Sequence, residues 1–341
     1  MRMVKIFVNG FGTIGKRVAF AIKKQDDMEL VGVAKRRPDF KAYIANKLGI
    51  PLYVVSEENI GDFEELGIKV CGVLEEGIEK ADIIVDAAPK GVGSKNKSLY
   101  DRNGKKAVFQ GGEPPEVADI SFVAQANYEK ALGKRYIRVV SCNTTGMARV
   151  LHELRKISNI RKVRGILVRR AADPWEIKKG PIDAIVPTLK IPSHHASDVK
   201  TVLGELDIMT LAVVVPTTRM HLHVLNVEFE SSVTVGDIVD TLIDAPRILV
   251  VPVRLGLDST ATLVEFARDM GRSRNDLYEV MVFDDSIKVH GNELWLKYAV
   301  HQEAIVVPEN IDAIRAAMRM FDDPMKSIEK TDSSLGILRK L

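Results

Sequence analysis

Val4-Lys-Ile-Phe-Val-Asn9 runs directly into Gly10-Phe-Gly12-Thr-Ile-Gly15 at the start of this chain. The first six residues have the character of a buried strand, and a helical pattern follows over 14–24. A Gly-x-Gly-x-x-Gly sequence between a strand and a helix is typical of dinucleotide binding. Gly10 permits the tight turn, Gly12 lets the backbone approach a pyrophosphate, and Gly15 lets the helix pack on the strand. The sequence therefore predicts a dinucleotide site here.

The pattern of strands and helices predicts two domains of different kinds. Up to about residue 90, strand-like runs alternate with helical ones, as at 29–34, 39–48, 51–55, 68–71 and 82–87. This alternation favours an α/β fold, a Rossmann-type doubly wound parallel sheet. After about residue 140 long β-branched runs dominate, at 163–169, 211–215, 219–230, 247–253 and 279–283. They predict an α+β catalytic domain with a mainly antiparallel sheet.

The domain boundaries follow from this change of texture. We expect a dinucleotide-binding domain over 1–141 and a catalytic domain over 142–304. A last segment, 305–341, is predicted to return to the first domain. In it, Pro308 opens a helix over 308–321 that needs an apolar surface to pack against.

Composition excludes several classes of protein. The 341 residues carry 49 basic and 46 acidic side chains, a formal charge of +3, so nucleic acid is not an implied partner. No run reaches the roughly 18 to 20 apolar residues of a membrane span, and no signal peptide is visible, so we expect a cytoplasmic protein. The two cysteines, Cys71 and Cys142, are too few for a disulfide framework and too far apart to suggest a metal site.

The end of the second predicted strand indicates which dinucleotide is bound. Sites specific for NAD commonly place Asp or Glu there to accept hydrogen bonds from the ribose. This strand ends in Ala34 and continues as Lys35-Arg36-Arg37. Cations pair with a 2′-phosphate that a carboxylate would repel. We therefore predict NADP as the preferred cofactor over NAD, with Lys35 and Arg36 as its contacts.

Cys142 lies between a predicted strand at 136–141 and a helical run that begins at Met147. The start of a helix favours thiolate over thiol, and a thiolate can attack an aldehyde carbon. Backbone amides and the Asn143 side chain are the expected donors to the resulting oxyanion. Cys71 lacks polar neighbours and is expected to be a strand residue.

Several blocks in one order resemble archaeal-type phosphorylating glyceraldehyde-3-phosphate dehydrogenases. They are Val139-Val-Ser-Cys-Asn-Thr-Thr-Gly146, Val168-Arg-Arg-Ala-Ala-Asp-Pro174, Pro192-Ser-His-His195, Pro216-Thr-Thr-Arg-Met-His-Leu-His223 and Ala299-Val-His-Gln-Glu303. The resemblance implies reversible oxidation of D-glyceraldehyde 3-phosphate with inorganic phosphate to 1,3-bisphosphoglycerate, in glycolysis or gluconeogenesis, by a homotetramer. Departures from the family pattern stand at Ala196 and Arg219.

The resemblance also implies a role for particular residues. Cys142 would be the nucleophile. Cofactor contacts would come from Thr13, Ile14, Gly111, Arg170 and Gln302, and substrate contacts from Ser141, Asn143, His194 and His195. His221 aligns with the family's proposed base. Since alternation along a strand puts His221 and His223 on one face, about 7 Å apart, His223 remains an alternative.

Alternation along the strand at 163–169 also bears on Arg169 and Arg170. Only one of the two can point at the site, and the family pattern favours Arg170. A metal site built from His194, His195, His221 and His223 is conceivable, but no carboxylate or cysteine spacing supports it.

Two other functions stay open. A semialdehyde or acyl-phosphate reductase would share the two-domain plan and the cysteine, although the adjacent His194-His195 pair argues against it. A nucleotide-binding redox sensor could use the same reactive thiol, although Cys71 gives no sign of being a resolving cysteine.

Overall fold

The computed structural model describes residues 2–341. Its strands are β1 Val4–Asn9, β2 Met28–Lys35, β3 Leu52–Val54, β4 Ile83–Asp86, β5 Lys106–Gln110, β6 Ile120–Phe122, β7 Tyr136–Val139, β8 Ile160–Arg170, β9 Val186–Pro187, β10 Ile208–Val215, β11 Met220–Phe229, β12 Ile248–Val251, β13 Val280–Phe283, β14 Lys288–His290 and β15 Glu293–His301. Its α-helices are α1 Thr13–Ile22, α2 Phe40–Lys47, α3 Ile60–Glu64, α4 Leu74–Glu79, α5 Val92–Arg102, α6 Ala124–Ala131, α7 Cys142–Leu154, α8 His194–Leu203, α9 Val235–Asp244, α10 Thr260–Asp269, α11 Val307–Ala317 and α12 Pro324–Leu335.

The chain divides into two compact units. The first takes the chain through Ser141 together with Val307–Leu335, and the second takes Cys142–Val306 together with Gly336–Leu341. Residues 305–306 and the last six residues group with the second unit, whereas the sequence predicted that the whole segment 305–341 returns to the first. The reason is local, since Leu338 donates its backbone N–H to Glu279 in the second unit.

The first unit is the predicted Rossmann-type parallel sheet. Its strand order is β3-β2-β1-β4-β5-β7-β6, and all six pairings are parallel. The chain runs outward from β1 in one direction through β2 and β3, and then in the other through β4 and β5. The order therefore reverses between β1 and β4, the place where doubly wound sheets bind ligands at their carboxyl ends. The Gly10–Gly15 loop follows β1 at this point.

The strand predicted over 68–71 does not form, and this prediction was wrong. Cys71 is exposed and makes one backbone hydrogen bond to Leu52, while a single bridge joins Val54 to Val73. Gly72 explains the interruption because its φ of +142° is incompatible with continued extended backbone. Cys71 is thus a surface residue and not a strand residue.

Two C-terminal helices complete the first unit. The helix predicted over 308–321 is α11, which begins one residue earlier and ends at Ala317, and α12 follows it unpredicted. Ile311 and Ile314 are fully buried. α11 contacts α1 and α6, so its apolar side packs within the first unit.

The second unit contains a mixed sheet. Its order is β12-β13-β15-β11-β8-β10-β9, with β14 on β15. Of the seven pairings among the described strands, β8–β10 and β12–β13 are parallel and five are antiparallel. The expectation of a mainly antiparallel sheet is therefore confirmed. α7 lies against one face, where Gly146 is needed because a Cβ there would lie 2.7 Å from Val300.

Across residues 2–341, no helix has the length and apolar character needed to span a membrane.

Candidate active site

The glycine loop has the geometry of a pyrophosphate cradle. Gly10 has φ +113°, and a Cβ on it would lie 2.6 Å from the Ala87 carbonyl oxygen. A Cβ on Gly15 would lie 1.7 Å from the Gly10 oxygen, whereas one on Gly12 would meet nothing within 4 Å. Gly12 is also the N-cap of α1 and supplies no side-chain cap. The open space and the uncapped helix start fit a dinucleotide, and Thr13 and Ile14 form the first turn beside them.

The basic segment after β2 lies beside this loop. The Phe11 amide donates to the Ala34 carbonyl over 3.1 Å, which joins the glycine loop to the end of β2. Lys35 is the last residue of that strand and pairs with Asp39 at 2.6 Å. Arg36 is exposed, and no hydrogen bond or ion pair joins it to any residue in the described part of the chain.

Gly111 follows β5 in the same unit. A Cβ on Gly111 would lie 2.3 Å from the backbone nitrogen of Ser141, so only glycine allows this approach. Ser141 itself is partly buried and directly precedes α7. Both residues therefore lie at the carboxyl ends of parallel strands, where the resemblance expected cofactor and substrate contacts.

Cys142 is the first residue of α7 and is partly exposed. Burial raises the pKa of its thiol to about 11, and Arg169, Arg170 and the amides of the first helical turn offset this only in part. The helix start thus acts in the direction that the sequence predicted. However, desolvation of the sulfur is the larger effect, so the thiolate is a minor form at neutral pH.

His221 is the histidine adjacent to this thiol. Its Nε2 lies 3.5 Å from the sulfur of Cys142, while its Nδ1 accepts the backbone N–H of Arg170 over 2.9 Å. Burial, with the nearby His223 and Arg169, holds the pKa of His221 well below its usual value, so the ring is neutral. Since Nδ1 accepts, the single ring proton resides on Nε2 and points at the sulfur.

Asn143 connects two other buried histidines. Its Oδ1 accepts from Nε2 of His223 over 2.8 Å, and its Nδ2 donates to Nε2 of His195 over 3.3 Å. His195 in turn contacts Ser193 through Nδ1 at 3.0 Å. Burial lowers the pKa of His195 to about 2 and that of His223 to about 3. The Asn143 amide therefore positions two neutral rings, and because Nδ2 carries two hydrogens, its contact with His195 leaves one of them for the oxyanion role that the sequence suggested.

The arginine expected to face the site needs correction. His223 pairs with Leu167 across the strands, so the next pair on the same face is His221 with Arg169. The Nε atoms of Arg169 and Arg170 are both buried without a hydrogen-bond partner among the described residues, so this feature does not distinguish the two side chains. Arg170 instead forms an ion pair with Asp173 and uses its backbone N–H to hold His221. Arg169 is thus the side chain that shares the face of His221.

The remaining residues named from the sequence lie at the end of β15, before β11 and at the start of α8. Gln302 follows β15, and its backbone N–H donates to the Arg219 carbonyl over 2.9 Å. Arg219 has φ +68°, a conformation rare for a side chain of this kind. His194 and His195 are the first two residues of α8, and their ring centroids lie 4.0 Å apart.

Two features of the site were missed from the sequence. Thr144 donates to Asp198 over 2.6 Å and thereby ties the first turn of α7 to α8. Asp39 pairs with Lys35, although an aspartate before a helical run signals only an N-cap. Within residues 2–341, no cluster of three or more His, Cys, Asp or Glu side chains is suited to a metal ion.

Two family models match parts of this chain, and curated relatives match nearly all of it. Residues 141–291 match the family model "Glyceraldehyde 3-phosphate dehydrogenase, C-terminal domain", and residues 4–112 match "Dihydrodipicolinate reductase, N-terminus". Glyceraldehyde-3-phosphate dehydrogenase of Metallosphaera sedula is 59% identical over 98% of both chains. The enzymes of that name from Pyrococcus abyssi, at 55%, and Methanobacterium formicicum, at 52%, match 98% of this chain and 99% and 100% of their own. This chain therefore belongs to the archaeal-type glyceraldehyde-3-phosphate dehydrogenase family.

Proposed function

We propose that this protein oxidises D-glyceraldehyde 3-phosphate with inorganic phosphate and NAD(P) to 1,3-bisphosphoglycerate, reversibly, through a thioester on Cys142. The observation that carries the proposal is the Cys142–His221 pair at the first turn of a helix, with Nε2 3.5 Å from the sulfur. Membership of the family supplies the substrate, since a reactive thiol alone would also suit a semialdehyde reductase or a redox sensor.

The covalent steps follow from the chemistry of a thiol. The Cys142 thiol first loses its proton to solvent. The thiolate then attacks the aldehyde carbon, a C–S bond forms, and the carbonyl electron pair moves to oxygen. A nicotinamide dinucleotide held by the Gly10–Gly15 loop would supply the acceptor for the hydride that this carbon loses, and the oxidised acyl group would remain on Cys142 as a thioester. Inorganic phosphate then attacks the thioester carbonyl, and the C–S bond breaks to release the thiolate and the acyl phosphate.

His221 acts in this scheme as a hydrogen-bond donor. To remove the thiol proton, Nε2 would have to be bare, and the ring proton would then lie on Nδ1 facing the Arg170 N–H 2.9 Å away. Two donors cannot share that contact. We therefore favour stabilisation of the thiolate and of the substrate oxyanion by Nε2–H over the base role that the resemblance implied.

The substrate phosphate and inorganic phosphate are anions, so the site needs cationic side chains that bind them without blocking the Cys142 sulfur. Arg169 shares the His221 face and has a buried Nε without a protein partner in the described chain, so it is the proposed anion contact of this unit. Ser141, His194 and His195 remain proposed substrate contacts, with His195 held by Asn143. Arg170 and Gln302 remain proposed cofactor contacts.

The cofactor site is proposed to accept both dinucleotides, with NADP preferred. Gly10, Gly12, Thr13, Ile14 and Gly15 would hold the pyrophosphate, and Gly111 would approach the cofactor through its backbone. Lys35 and Arg36 would contact the 2′-phosphate. The absence of a carboxylate at the end of β2 itself supports the preference.

We propose that the protein is a homotetramer and that it is located in the cytoplasm. The outer side of the second sheet is solvent-facing but carries Ile166, Leu211 and Trp295, each more than two-fifths exposed. An apolar sheet face of this kind is typical of a surface that is covered in an assembly.

The decisive assay follows NADPH formation from glyceraldehyde 3-phosphate with and without phosphate. We expect phosphate-dependent turnover that falls by at least about a thousandfold in Cys142→Ser. The matched control is Cys71→Ser, which removes the exposed thiol and should keep full activity. Turnover with aspartate semialdehyde instead, or cofactor binding without any turnover, would contradict the proposal.

A further inference from the structure

Although no Asp or Glu ends β2 in the sequence, the folded chain brings the carboxylate of Asp39 next to this strand end. Asp39 is the N-cap residue of α2, and its Oδ2 lies 2.6 Å from the ammonium group of Lys35, the last residue of β2. The Phe11–Ala34 hydrogen bond ties this same strand end to the glycine loop. A cation and a carboxylate therefore stand together at the edge where a doubly wound sheet receives the adenosine ribose of a dinucleotide.

The two oxygens of Asp39 have different tasks. Oδ1 accepts the backbone N–H groups of Lys41 and Ala42 over 2.9 and 3.0 Å and so fixes the carboxylate at the start of α2. Oδ2 accepts only Lys35 among the described residues and keeps a further lone pair. These hydrogen bonds lower the pKa of Asp39 despite its partial burial, so the group is a carboxylate at neutral pH.

The ammonium group of Lys35 can contact a second anion in addition to Asp39. Its side chain is 12% exposed and that of Asp39 is 37% exposed, so Asp39 is the more solvent-accessible member of the pair. A lysine ammonium has three donors, of which Asp39 uses one. Arg36 and Arg37 are exposed next to this pair and add positive charge.

We propose that Lys35 and Asp39 together select between the two dinucleotides. Asp39 accepts the ribose 2′-hydroxyl of NAD through Oδ2, and Lys35 supplies the charge that binds the 2′-phosphate of NADP against the repulsion of Asp39. The proposal rests on the proposed use of NAD(P) at this edge. It makes Asp39 a specificity residue for NAD and explains how a chain with a basic strand end can still accept the unphosphorylated cofactor.

The test measures binding, so it does not depend on turnover. Calorimetric titration with 5′-ADP and 2′,5′-ADP, the matching fragments of NAD and NADP, gives dissociation constants for each variant. In Asp39→Asn, which keeps a good N-cap, we expect 5′-ADP to bind about tenfold more weakly and 2′,5′-ADP several-fold more tightly. In Lys35→Met we expect 2′,5′-ADP to bind at least about tenfold more weakly and 5′-ADP to change less than about twofold.

Matched controls make the same charge changes at exposed positions of the same unit, Asp62→Asn and Lys24→Met, and both should leave the two constants unchanged. Thermal melting checks that the Asp39 variant is folded. Equal effects of either site variant on both nucleotides, or no effect, would overturn the proposal, as would failure of the parent chain to bind either nucleotide. The parent chain could fail to oxidise glyceraldehyde 3-phosphate while the two site variants still shift the dissociation constants of the two nucleotides in opposite directions. That result would reject only the proposed function.

Discussion

At the scale of single residues, two opposing effects set the reactivity of Cys142. The helix start and two guanidiniums favour the thiolate, but burial is stronger and leaves the pKa at about 11. The thiolate fraction of the free protein should therefore still rise through the alkaline range. We expect the alkylation rate of Cys142 by iodoacetamide, measured in a Cys71→Ser background, to increase by about tenfold per pH unit between pH 7 and 10.

A plateau of that rate below pH 8 would show that the thiol is already ionised and that desolvation is not the dominant effect. Alkylation of Cys71 in Cys142→Ser gives the profile of an exposed thiol for comparison. The same assay bears on His221, because loss of its Nε2–H contact in His221→Ala should slow alkylation at each pH, whereas His221→Gln, which keeps a donor amide, should slow it less. An accelerated reaction in His221→Ala would contradict the donor role.

The sequence singled out Cys142, Asn143 and His221, which lie in one cluster of contacts, but it did not reveal those contacts. Cys142 could be found from its polar neighbours and its place between a strand and a helix. The role of Asn143 could not, because its amide is bound by His195 and His223, which lie more than 50 residues away in sequence. Asp39 escaped notice for the same reason, since its proximity to Lys35 depends on the path of the chain between β2 and α2.

At the scale of elements, α11 and α12 are joined by a buried cation. Arg315 of α11 is fully buried, pairs with Asp27 at 3.0 Å and donates to Gln25 over 2.7 Å. It also donates to Thr331 of α12. The guanidinium thus connects both C-terminal helices to the turn that follows α1, and all of these groups belong to the first unit.

Replacement of Arg315 by methionine should loosen both helices. The change leaves Asp27 without its buried partner, and such losses cost about 3–5 kcal/mol. Hydrogen exchange measured by mass spectrometry should show faster exchange in peptides covering 307–335, by up to about a thousandfold. Arg102→Met, at an exposed position in α5, is the control and should leave these peptides unchanged. Equal protection in both variants would mean that apolar packing alone holds the helices.

Element types were predictable where a periodic pattern was long. β1, α1, β2, β8, β10 and β11 all stand where the sequence predicted them. The segment 68–71 failed because four apolar and basic residues cannot reveal that Gly72 adopts φ +142°. α12 was missed because its mean hydropathy is low and three of its five buried residues, Ser327, Thr331 and Asp332, are polar.

At the scale of the whole molecule, one face of the second sheet exposes apolar side chains that no other element of its unit covers. α7 and α8 cover one face of the second sheet. The other face exposes Ile166 and Leu211, which are paired neighbours on β8 and β10. With Trp295 they line a shallow depression of about 160 Å³. A solvated sheet face normally alternates to polar residues, so this composition supports the proposed homotetramer.

Light scattering after size exclusion should therefore give about four times the 37.8 kDa mass of one chain. Placing two carboxylates on the apolar face, with Ile166→Glu and Leu211→Glu together, should reduce that mass because burying unpaired charge at an interface is costly. The control places the same charges at Leu66 and Leu255, which are exposed apolar residues outside this face, and should keep the parent mass. A parent of 37.8 kDa would reject the tetramer. A doubly charged variant that keeps the parent mass and its circular dichroism would instead show that the assembly uses another surface.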